Sequence, residues 1–454
     1  MKPPMYKILF IQATQYSSGS KTLVKQKRLY LPGLAFPLMA AMTPTNWEVD
    51  ICLEVIEDVN FDAECDIVGI GAMGQAVIRA IEIAKEFKRR GKTVIMGGYM
   101  PSMVPDVVKK VCDSIVIGDS EIAYPQLLKD YENGQLKQIY HSPVKDIKGL
   151  PVPKYELLLN KKIGFMLPVQ AGRGCPHAGS YCSIYCLYRK RYLTRPLDEV
   201  IRDIIRVKEL GFKAFYLLDD NIMGNPKFLK ALCDKIKPLN MVWASQCSIL
   251  LAKNPQLLKL AAESGCRILS LGVESISQEG LDKLNKKWVK VQEHEELLRR
   301  IVDAGILPAT EMIVGTDGDT MDSLKQTYDF VMKTNIPIPK FYIMTPMPGS
   351  DLYSEYKAQG RLLHEDYSRY TATNTVFKPQ KLTAEELDKM YWWLYKRVYS
   401  LPNILKRTIL HKNFFKNPLS YLFALVVNLN YMLFIRRGDA PMYFSGKFCY
   451  HDRD

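Results

Sequence analysis

The sequence predicts an α/β fold: a doubly wound, Rossmann-like domain over residues 1–145, a partial (β/α)6, TIM-like barrel over 165–380, and a helical region over 381–454. Short apolar runs alternate with amphipathic stretches in the first third of the chain, and this alternation resumes on a longer period after residue 165. Strands that alternate with helices form parallel sheets. The last part is aromatic and basic instead. A linker is predicted over 146–164, where two prolines and a glycine lie close together.

The composition is that of an ordinary globular protein, because 47% of the 454 residues are hydrophobic and 24% are charged. It excludes a largely disordered, collagen-like or polytopic membrane protein. Lys and Arg total 62 against 48 Asp and Glu, so the formal net charge of +14 favours an anionic partner. The ten cysteines are too few for a disulfide scaffold, and no signal-peptide pattern follows Met1. We therefore expect reduced thiols and a cytoplasmic protein.

Five short apolar runs predict the strands of the amino-terminal domain, and an amphipathic stretch predicts a helix among them. The helix is expected over 75–90, where apolar residues recur at helical spacing before Gly91. The five strands are expected at 7–12, 49–54, 67–70, 93–96 and 114–118.

Six further apolar runs predict the strands of the barrel, with helical stretches such as 197–210 and 293–304 between them. The carboxyl ends of barrel strands form the reactive end of such a fold, so functional side chains are expected there. The six strands are expected at 165–170, 214–218, 242–246, 268–273, 309–314 and 340–344.

Three cysteines, Cys175, Cys182 and Cys186, lie in a glycine-rich stretch directly after the first barrel strand. Three thiolates can ligate three irons of a four-iron cluster and leave the fourth iron open to a substrate or cofactor. The alternatives are a zinc site with His177 as fourth ligand, and three unrelated thiols. The ligand count and the position at the reactive end of the barrel favour the iron–sulfur cluster.

The cysteine loop and the barrel pattern resemble the radical S-adenosylmethionine (SAM) enzymes. The usual spacing in that family is Cys-x3-Cys-x2-Cys, whereas this chain has Cys-x6-Cys-x3-Cys. Tyr185 keeps the aromatic residue expected just before the last cysteine. The resemblance implies a 4Fe–4S cluster whose open iron binds SAM, and whose electron releases a 5′-deoxyadenosyl radical.

Later strand ends match the same family in the same order. The Asp-Asp-Asn at 219–221 resembles a motif whose acidic group contacts the amino group of SAM, with helix capping as the alternative. Gly-Val-Glu-Ser at 272–275 resembles the strand end whose Glu binds the ribose, and Met-Ile-Val-Gly at 312–315 resembles the segment along the adenine. The resemblance thus implies SAM contacts at Asp219, Asp220, Glu274, Ser275, Ile313 and Gly315, and we add Tyr181, Tyr185 and Tyr342 as candidate catalytic residues.

Three glycine-rich strand ends, at 69–74, 97–102 and 118–121, resemble the cobalamin-binding domain that precedes the barrel in one branch of the family. Glycines let backbone approach a large planar ligand, and helix amino termini suit its phosphate. The alternatives are a dinucleotide, since 69–74 fits Gly-x-Gly-x-x-Gly, and ordinary turn glycines. No histidine precedes His141, so a lower-axial histidine ligand to cobalt is not expected. The candidate cobalamin contacts are Gly69, Gly71, Gly74, Gly97, Gly98, Ser102, Gly118 and Glu121.

The last part of the chain interleaves aromatic and basic residues, and 419–435 carries no charge between Lys416 and Arg436. This pattern predicts either peripheral contact with the inner face of a membrane or an apolar helix that caps the barrel. Asn428 and Asn430 are about 200° apart on a helix and do not form one polar face, which favours burial or a pocket over a helix that lies on a surface. Nucleic acid is not expected as a partner, because no recognised binding module accompanies the charge.

Together the resemblances predict a cobalamin-dependent radical SAM methyltransferase that acts on an unactivated carbon of an organic, hydrophobic substrate such as a lipid, isoprenoid or tetrapyrrole. They imply a 4Fe–4S cluster, SAM and cobalamin as cofactors, and an external electron donor such as flavodoxin or ferredoxin. One alternative is a cobalamin-dependent radical SAM cyclase or ring-contracting enzyme without methyl transfer. The other is a non-catalytic iron–sulfur or cobalamin sensor.

Overall fold

The computed structural model describes residues 6–17, 22–142 and 146–441, and the backbone of 449–451. The predicted first domain and the predicted carboxyl-terminal region extend beyond these ranges: residues 1–5, 18–21, 143–145, 442–448 and 452–454 lie outside the described residues.

The chain divides into two compact units, each with its own parallel sheet. The first unit comprises Met1–Gly164, Asp366–Thr371 and Ser445–Asp454, and the second comprises Phe165–Glu365 and Ala372–Phe444. Residues predicted as a linker therefore fall in the first unit, and the barrel strands open the second.

The elements of the first unit follow the predicted alternation of strands and helices. In chain order they are β1 (Tyr6–Gln12), β2 (Val24–Gln26), α1 (Ala35–Met42), β3 (Trp47–Leu53), β4 (Ile67–Gly71), α2 (Ala76–Arg89), β5 (Thr93–Gly97), α3 (Tyr99–Met103), α4 (Pro105–Val108), β6 (Ser114–Gly118), α5 (Ser120–Glu132), β7 (Ile139–Ser142) and α6 (Glu156–Leu159).

Six of these strands form a parallel sheet in the order β3-β1-β4-β5-β6-β7. The five predicted strands and the predicted helix are confirmed. Helix α2 buries Val77, Ala80 and Phe87. It carries Lys88 and Arg89 in its last turn, where cations interact favourably with the helix dipole. Because β1 lies between β3 and β4, the connections run in opposite directions on its two sides. Ligands of open parallel sheets bind at the carboxyl edge beside such a switch point.

The second unit contains the barrel and the helices that follow it. In chain order its elements are β8 (Met166–Gln170), β9 (Gly172–Gly174), α7 (Ser183–Tyr188), β10 (Tyr192–Thr194), α8 (Leu197–Glu209), β11 (Ala214–Leu218), α9 (Pro226–Ile236), β12 (Val242–Cys247), α10 (Pro255–Glu263), β13 (Cys266–Glu274), α11 (Gln278–Lys283), α12 (His294–Asp303), β14 (Leu307–Val314), α13 (Met321–Thr334), β15 (Ile338–Ile343), α14 (Asp351–Ala358), α15 (Ala384–Val398), α16 (Leu401–Arg407) and α17 (Pro418–Arg436). A last strand, β16 (Cys449–His451), belongs to the first unit, where it pairs antiparallel with β2.

The six predicted barrel strands are confirmed, and they form one sheet in the order β15-β14-β13-β12-β11-β8. Each neighbouring pair in this sheet is parallel. Strands β8 and β15 stand at the two ends of the order, so the barrel is open and partial, as predicted. All six carboxyl ends lie along one rim, and the cysteine loop follows the first of them.

The predicted helical region consists of α15, α16 and α17, and hydrogen bonds attach it to β15. The Tyr395 hydroxyl donates to the carbonyl oxygen of Phe341 at 2.9 Å. Asn428 of α17 is fully buried, and its Nδ2 donates to the carbonyl oxygen of Pro337 at 2.8 Å. Its Oδ1 accepts from Nη2 of Arg407 at 3.0 Å. The burial expected for Asn428 is therefore confirmed.

Candidate active site at the carboxyl ends of the strands

A two-stranded ribbon closes the base of the cysteine loop. Strand β9 precedes the loop and pairs antiparallel with β10, which follows it. Gly174 ends β9 with φ +84°, and a Cβ there would lie 2.1 Å from the carbonyl oxygen of Arg191. A Cβ on Gly172 would lie 2.5 Å from Oδ2 of Asp219. These two positions therefore require glycine, which allows the loop to fold tightly over the end of β8 and β11.

The three predicted metal ligands lie on this loop. Cys175 follows β9, Cys182 immediately precedes α7, and Cys186 lies on α7. All three are free thiols and partly buried. Burial raises the pKa of the Cys182 thiol, while the backbone N–H groups at the start of α7 and the Lys286 ammonium oppose that rise. Because burial outweighs these contacts, the Cys182 thiol is less acidic than a free one in the metal-free chain.

The Asp-Asp-Asn motif holds the cysteine loop in place. Asp219 is buried; its Oδ2 accepts from the Tyr192 hydroxyl at 2.7 Å, and burial raises the pKa of its carboxyl to about 7. Oδ2 of Asp220 accepts from the backbone N–H of Gly174 at 2.7 Å. Nδ2 of Asn221 lies 3.6 Å from Sγ of Cys175. Asn221 was not among the predicted site residues, although it belongs to the same motif.

Glu274, the predicted ribose ligand, has a left-handed backbone conformation with φ +63° at the end of β13. Such a conformation is strained for a non-glycine residue and is typical of functional sites. Its Oε1 lies 2.5 Å from Nζ of Lys286, and the Tyr181 hydroxyl lies against the same carboxylate. A Cβ on Gly272 would clash with that Oε1 at 2.5 Å. Ser275 is buried beside it and accepts from the backbone N–H of Ser277 at 3.1 Å.

The predicted adenine segment ends β14. Ile313 is half-buried, and Gly315 turns the chain with φ +86°. Oδ2 of Asp319 fixes this turn by accepting from the backbone N–H groups of Gly315 and Thr316, both at 2.8 Å. A Cβ on Gly315 would lie 2.4 Å from Leu387 of α15, so this glycine is also required by packing.

The three predicted catalytic tyrosines lie in different places. Tyr181 reaches from the cysteine loop to Glu274, and burial raises the pKa of its hydroxyl. Tyr185 lies on α7, with the guanidinium carbon of Arg189 5.1 Å from its ring centroid. Tyr342 lies on β15, in register with Ile313. Tyr181 and Tyr342 thus belong to barrel strand ends or contact them, whereas Tyr185 lies on α7.

In the first unit, the glycine-rich strand ends form one edge. Gly98 and Gly118 have φ of +101° and +90°, and a Cβ on either would lie 3.0 Å or 2.7 Å from a backbone oxygen. Oγ of Ser102 joins these two loops, because it donates to the carbonyl oxygen of Gly98 at 2.8 Å and accepts from the N–H of Gly118 at 3.0 Å. Glu121 lies in the first turn of the helix that follows.

The remaining predicted glycines fall into two groups. A Cβ on Gly69 or Gly71 would lie 2.7 Å or 2.9 Å from the ring of Phe10 or Phe36, and these rings stack on each other at 4.9 Å. Core packing alone therefore accounts for glycine at both positions. The Cβ positions of two further glycines meet no atom closer than 3.8 Å; these are Gly74 and Gly97.

Comparisons with known proteins agree with this geometry. Residues 169–331 match the family model of the radical SAM superfamily. The chain is 31% identical over 350 residues to the bacteriochlorophyllide d C-12(1)-methyltransferase of Chlorobaculum tepidum, covering 75% of this chain and 76% of that relative. The chain belongs to the radical SAM enzymes.

Two further comparisons support this radical SAM enzyme's fold and family. It is 29% identical over 393 residues to the bacteriochlorophyllide d C-8(2)-methyltransferase of Chlorobaculum tepidum, covering 83% of this chain and 87% of that relative. Its fold is similar to that of the radical SAM methyltransferase TsrM from Kitasatospora setae, solved with cobalamin and a 4Fe–4S cluster bound. The TM-score is 0.65 at 17% identity, and the match covers 85% of each chain.

The donor set of this radical SAM enzyme fits a 4Fe–4S cluster, because three free cysteines on one loop leave one iron for SAM. Across the ranges that the structure describes, no three His, Cys, Asp or Glu side chains are arranged around a single metal ion. The zinc alternative finds no such arrangement of ligands within the same described ranges, and the His177 ring stacks on Trp288, with centroids 4.2 Å apart.

The edge of the first unit also fits a large, partly apolar cofactor such as cobalamin. Two apolar side chains stand out from it: Met73 after β4 is 75% exposed, and Ile122 at the start of α5 is 59% exposed. Exposed apolar side chains beside glycine-lined loops offer a surface for the face of a planar ring. The same edge begins α5, whose first N–H groups suit a phosphate.

Proposed function

We propose that this enzyme methylates an unactivated carbon of a hydrophobic, tetrapyrrole-like substrate. The observation that carries the proposal is the 31% identity, over three quarters of the chain, to a methyltransferase named for bacteriochlorophyllide d. When bound, the cluster and SAM supply a radical that removes hydrogen from the substrate, and cobalamin supplies the methyl group. Methyl transfer distinguishes this proposal from ring formation or contraction by the same cofactors.

The residues of the chain bind and orient these groups. Cys175, Cys182 and Cys186 ligate the cluster, and the Gly174 turn and Asp220 hold their loop in place. Glu274 offers a carboxylate to the ribose hydroxyls, and its strained backbone keeps that carboxylate over the rim. The buried strand ends exclude water from the reaction.

Anaerobic reconstitution tests this function. We expect about four irons and one cobalamin per chain, and two SAM consumed for each methylated bacteriochlorophyllide d. Consumption of SAM with an oxidised or cyclised, unmethylated product would favour the cyclase alternative. Failure to form 5′-deoxyadenosine with a fully loaded, reduced cluster would favour the sensor.

The enzyme requires an external reductant, and we propose that an acidic flavodoxin or ferredoxin docks beside α7, the helix that carries Cys186. Three consecutive basic residues, Arg189, Lys190 and Arg191, directly follow α7, and all three are exposed. Complementary charge steers such encounters and accelerates them. Lys190→Glu should slow reduction by flavodoxin several-fold and leave reduction by dithionite unchanged. Equal slowing with both reductants would contradict this docking site.

We also propose that the enzyme is cytoplasmic and that α17 contacts the inner face of a membrane. Within the described ranges, Pro418–Arg436 is the one helix long and apolar enough to cross a membrane, and 33% of its most apolar window is buried. Leu419, Leu422, Val426 and Leu433 are exposed at spacings that place them on one helical face. The burial of the opposite face against the barrel supports a helix that lies in the membrane surface rather than one that spans it.

Basic residues bound this apolar stripe at both ends, with Lys416 before it and Arg436 and Arg437 after it. That arrangement suits anionic lipid headgroups. Leu422→Glu should reduce sedimentation with phosphatidylglycerol vesicles about tenfold, and Ile205→Glu, which changes an exposed apolar residue on α8, should not. Equal sedimentation of both variants, or a stripe-dependent dimer without vesicle binding, would contradict the membrane proposal.

A further inference from the structure

A charged pair lies in the barrel sheet, apart from the cofactor residues already described. Glu311 of β14 and Lys340 of β15 are directly opposite each other in register. Nζ of Lys340 lies 4.0 Å from Oε1 of Glu311, and Oγ of Ser270 donates to that same oxygen at 2.7 Å. Three neighbouring strands therefore converge on one carboxylate oxygen.

The pair faces the interior of the barrel. The ring of Phe341 packs edge-on against Tyr395 of α15, with centroids 5.1 Å apart, so Phe341 points toward the outer helices. Side chains alternate along a strand, and Lys340 and Tyr342 therefore point to the opposite, inner face. On β14, Met312 is buried on the outer side, which places Glu311 on the inner face too.

Glu311 shares this interior space with residues near the cofactor site. Burial raises the pKa of the Tyr181 hydroxyl, which reaches in from the cysteine loop, and the negative charges of the nearby Glu274 and Glu311 carboxylates raise it further. Burial also raises the pKa of Tyr216 on β11, and the Glu311 carboxylate adds to that rise from across the sheet. The negative charge of Glu311 therefore faces the same enclosed space as the residues at the reactive rim.

Stability does not account for this pair. Lys340 is 4% exposed, and a buried ion pair is commonly no more stabilising than a well-packed apolar pair. The carboxylate is also not fully used. Both contacts of Glu311 are to Oε1, while Oε2 accepts no hydrogen bond from the residues that the structure describes, and the side chain is 31% exposed. An accessible acceptor thus remains in the interior.

We propose that Glu311 orients the substrate by accepting a hydrogen bond at Oε2 from an O–H or N–H group of that substrate. Lys340 and Ser270 hold the carboxylate in position. This inference rests on the proposed function, and it narrows the substrate class to a hydrophobic ring system that carries a hydrogen-bond donor. A pure hydrocarbon would leave the carboxylate desolvated and unpaired, at a cost to binding.

Binding of two probes to the cofactor-loaded enzyme tests the inference. The probes are bacteriochlorophyllide d, which carries a hydroxyl group, and its O-methyl ether, which cannot donate. We expect the wild type to bind the hydroxyl form about 10- to 100-fold more tightly, the size of one hydrogen bond to a charged acceptor. Glu311→Ala should remove this preference. Glu311→Gln should remove it too, because Ser270 and Lys340 hold the amide oxygen at the Oε1 position and leave the NH2 group, which cannot accept, toward the substrate. The exposed control Glu296→Gln should keep the preference of the wild type.

A second variant controls for misfolding. Glu311→Ala could fail to fold, because it leaves the buried Lys340 without the Glu311 carboxylate. Glu311→Leu combined with Lys340→Met removes both charges, and the variant should fold and still show no preference. A preserved preference in either variant would overturn the inference while leaving methylation intact. Selective binding without methylation would contradict the proposed function and leave the subsite standing. Equal or absent binding of both probes by the wild type would overturn the inference.

Discussion

Asp219 provides a quantitative test of the geometry at the reactive rim. Burial raises the pKa of its carboxyl from 3.8 to about 7. The folded protein therefore holds a proton that the unfolded chain releases, and stability falls as the pH rises from about 4 to about 7. At 1.36 kcal/mol per pH unit, that difference corresponds to about 4 kcal/mol. Asp219→Asn removes the titrating carboxyl, so the free energy of unfolding of this variant should not fall by that amount between pH 4 and pH 7.

The assay compares thermal unfolding of the cofactor-free wild type and Asp219→Asn at pH 4 and pH 8. The asparagine costs a hydrogen bond at both values, because its amide cannot accept from both the Tyr192 hydroxyl and the Asn221 N–H at two oxygens. The pH-dependent part is separate: relative to wild type, the variant should gain roughly 4–7 °C in Tm between the two values. The exposed control Asp198→Asn should show no such gain. A pH-independent difference for Asp219→Asn would refute a proton held at this site.

Three other perturbations test separate parts of the structure. Cys182→Ala should abolish cluster binding, measured as iron content after anaerobic reconstitution; four irons retained would contradict the ligand assignment. Gly174→Ala should lower the free energy of unfolding by more than about 2 kcal/mol in chemical denaturation, because its Cβ would meet a backbone oxygen at 2.1 Å. The control Gly211→Ala, at φ +89° in open space, should cost about 1 kcal/mol. Arg407→Met should cost about 3–5 kcal/mol, since it strips four buried oxygens of their donor, and a loss below 1 kcal/mol would show that these bonds do not matter.

The strands could be predicted from the sequence because each contains a run of mostly apolar, buried residues. All eleven predicted strands are present, and the helix predicted over 75–90 matches α2. The strands that sequence reasoning missed have weaker patterns. The edge strand β7 alternates exposed and buried residues over only four positions, and the ribbon of β9 and β10 has three residues in each strand. Their pairing depends on tertiary contacts.

The site was predicted in part, because motifs identify residues but not their partners. Glu274 lies at the rim as expected, but its contact with Lys286 joins residues twelve positions apart through a turn that no motif marks. Asp220 contacts the backbone of the cysteine loop, a role that its position in the motif does not reveal. Gly69 and Gly71 match a ligand-binding pattern, yet each makes room for an aromatic side chain of the core. A glycine pattern alone cannot separate these two causes.

Transfer of a labelled methyl group tests the central claim most directly. The loaded, reduced enzyme is supplied with bacteriochlorophyllide d and SAM carrying a fully deuterated methyl group, and product and 5′-deoxyadenosine are measured by mass spectrometry. We expect a product heavier by one deuterated methyl group in place of hydrogen, with one 5′-deoxyadenosine and one S-adenosylhomocysteine formed per product. A product without label, or 5′-deoxyadenosine without any methylated product, would contradict a cobalamin-dependent methyl transfer at this site.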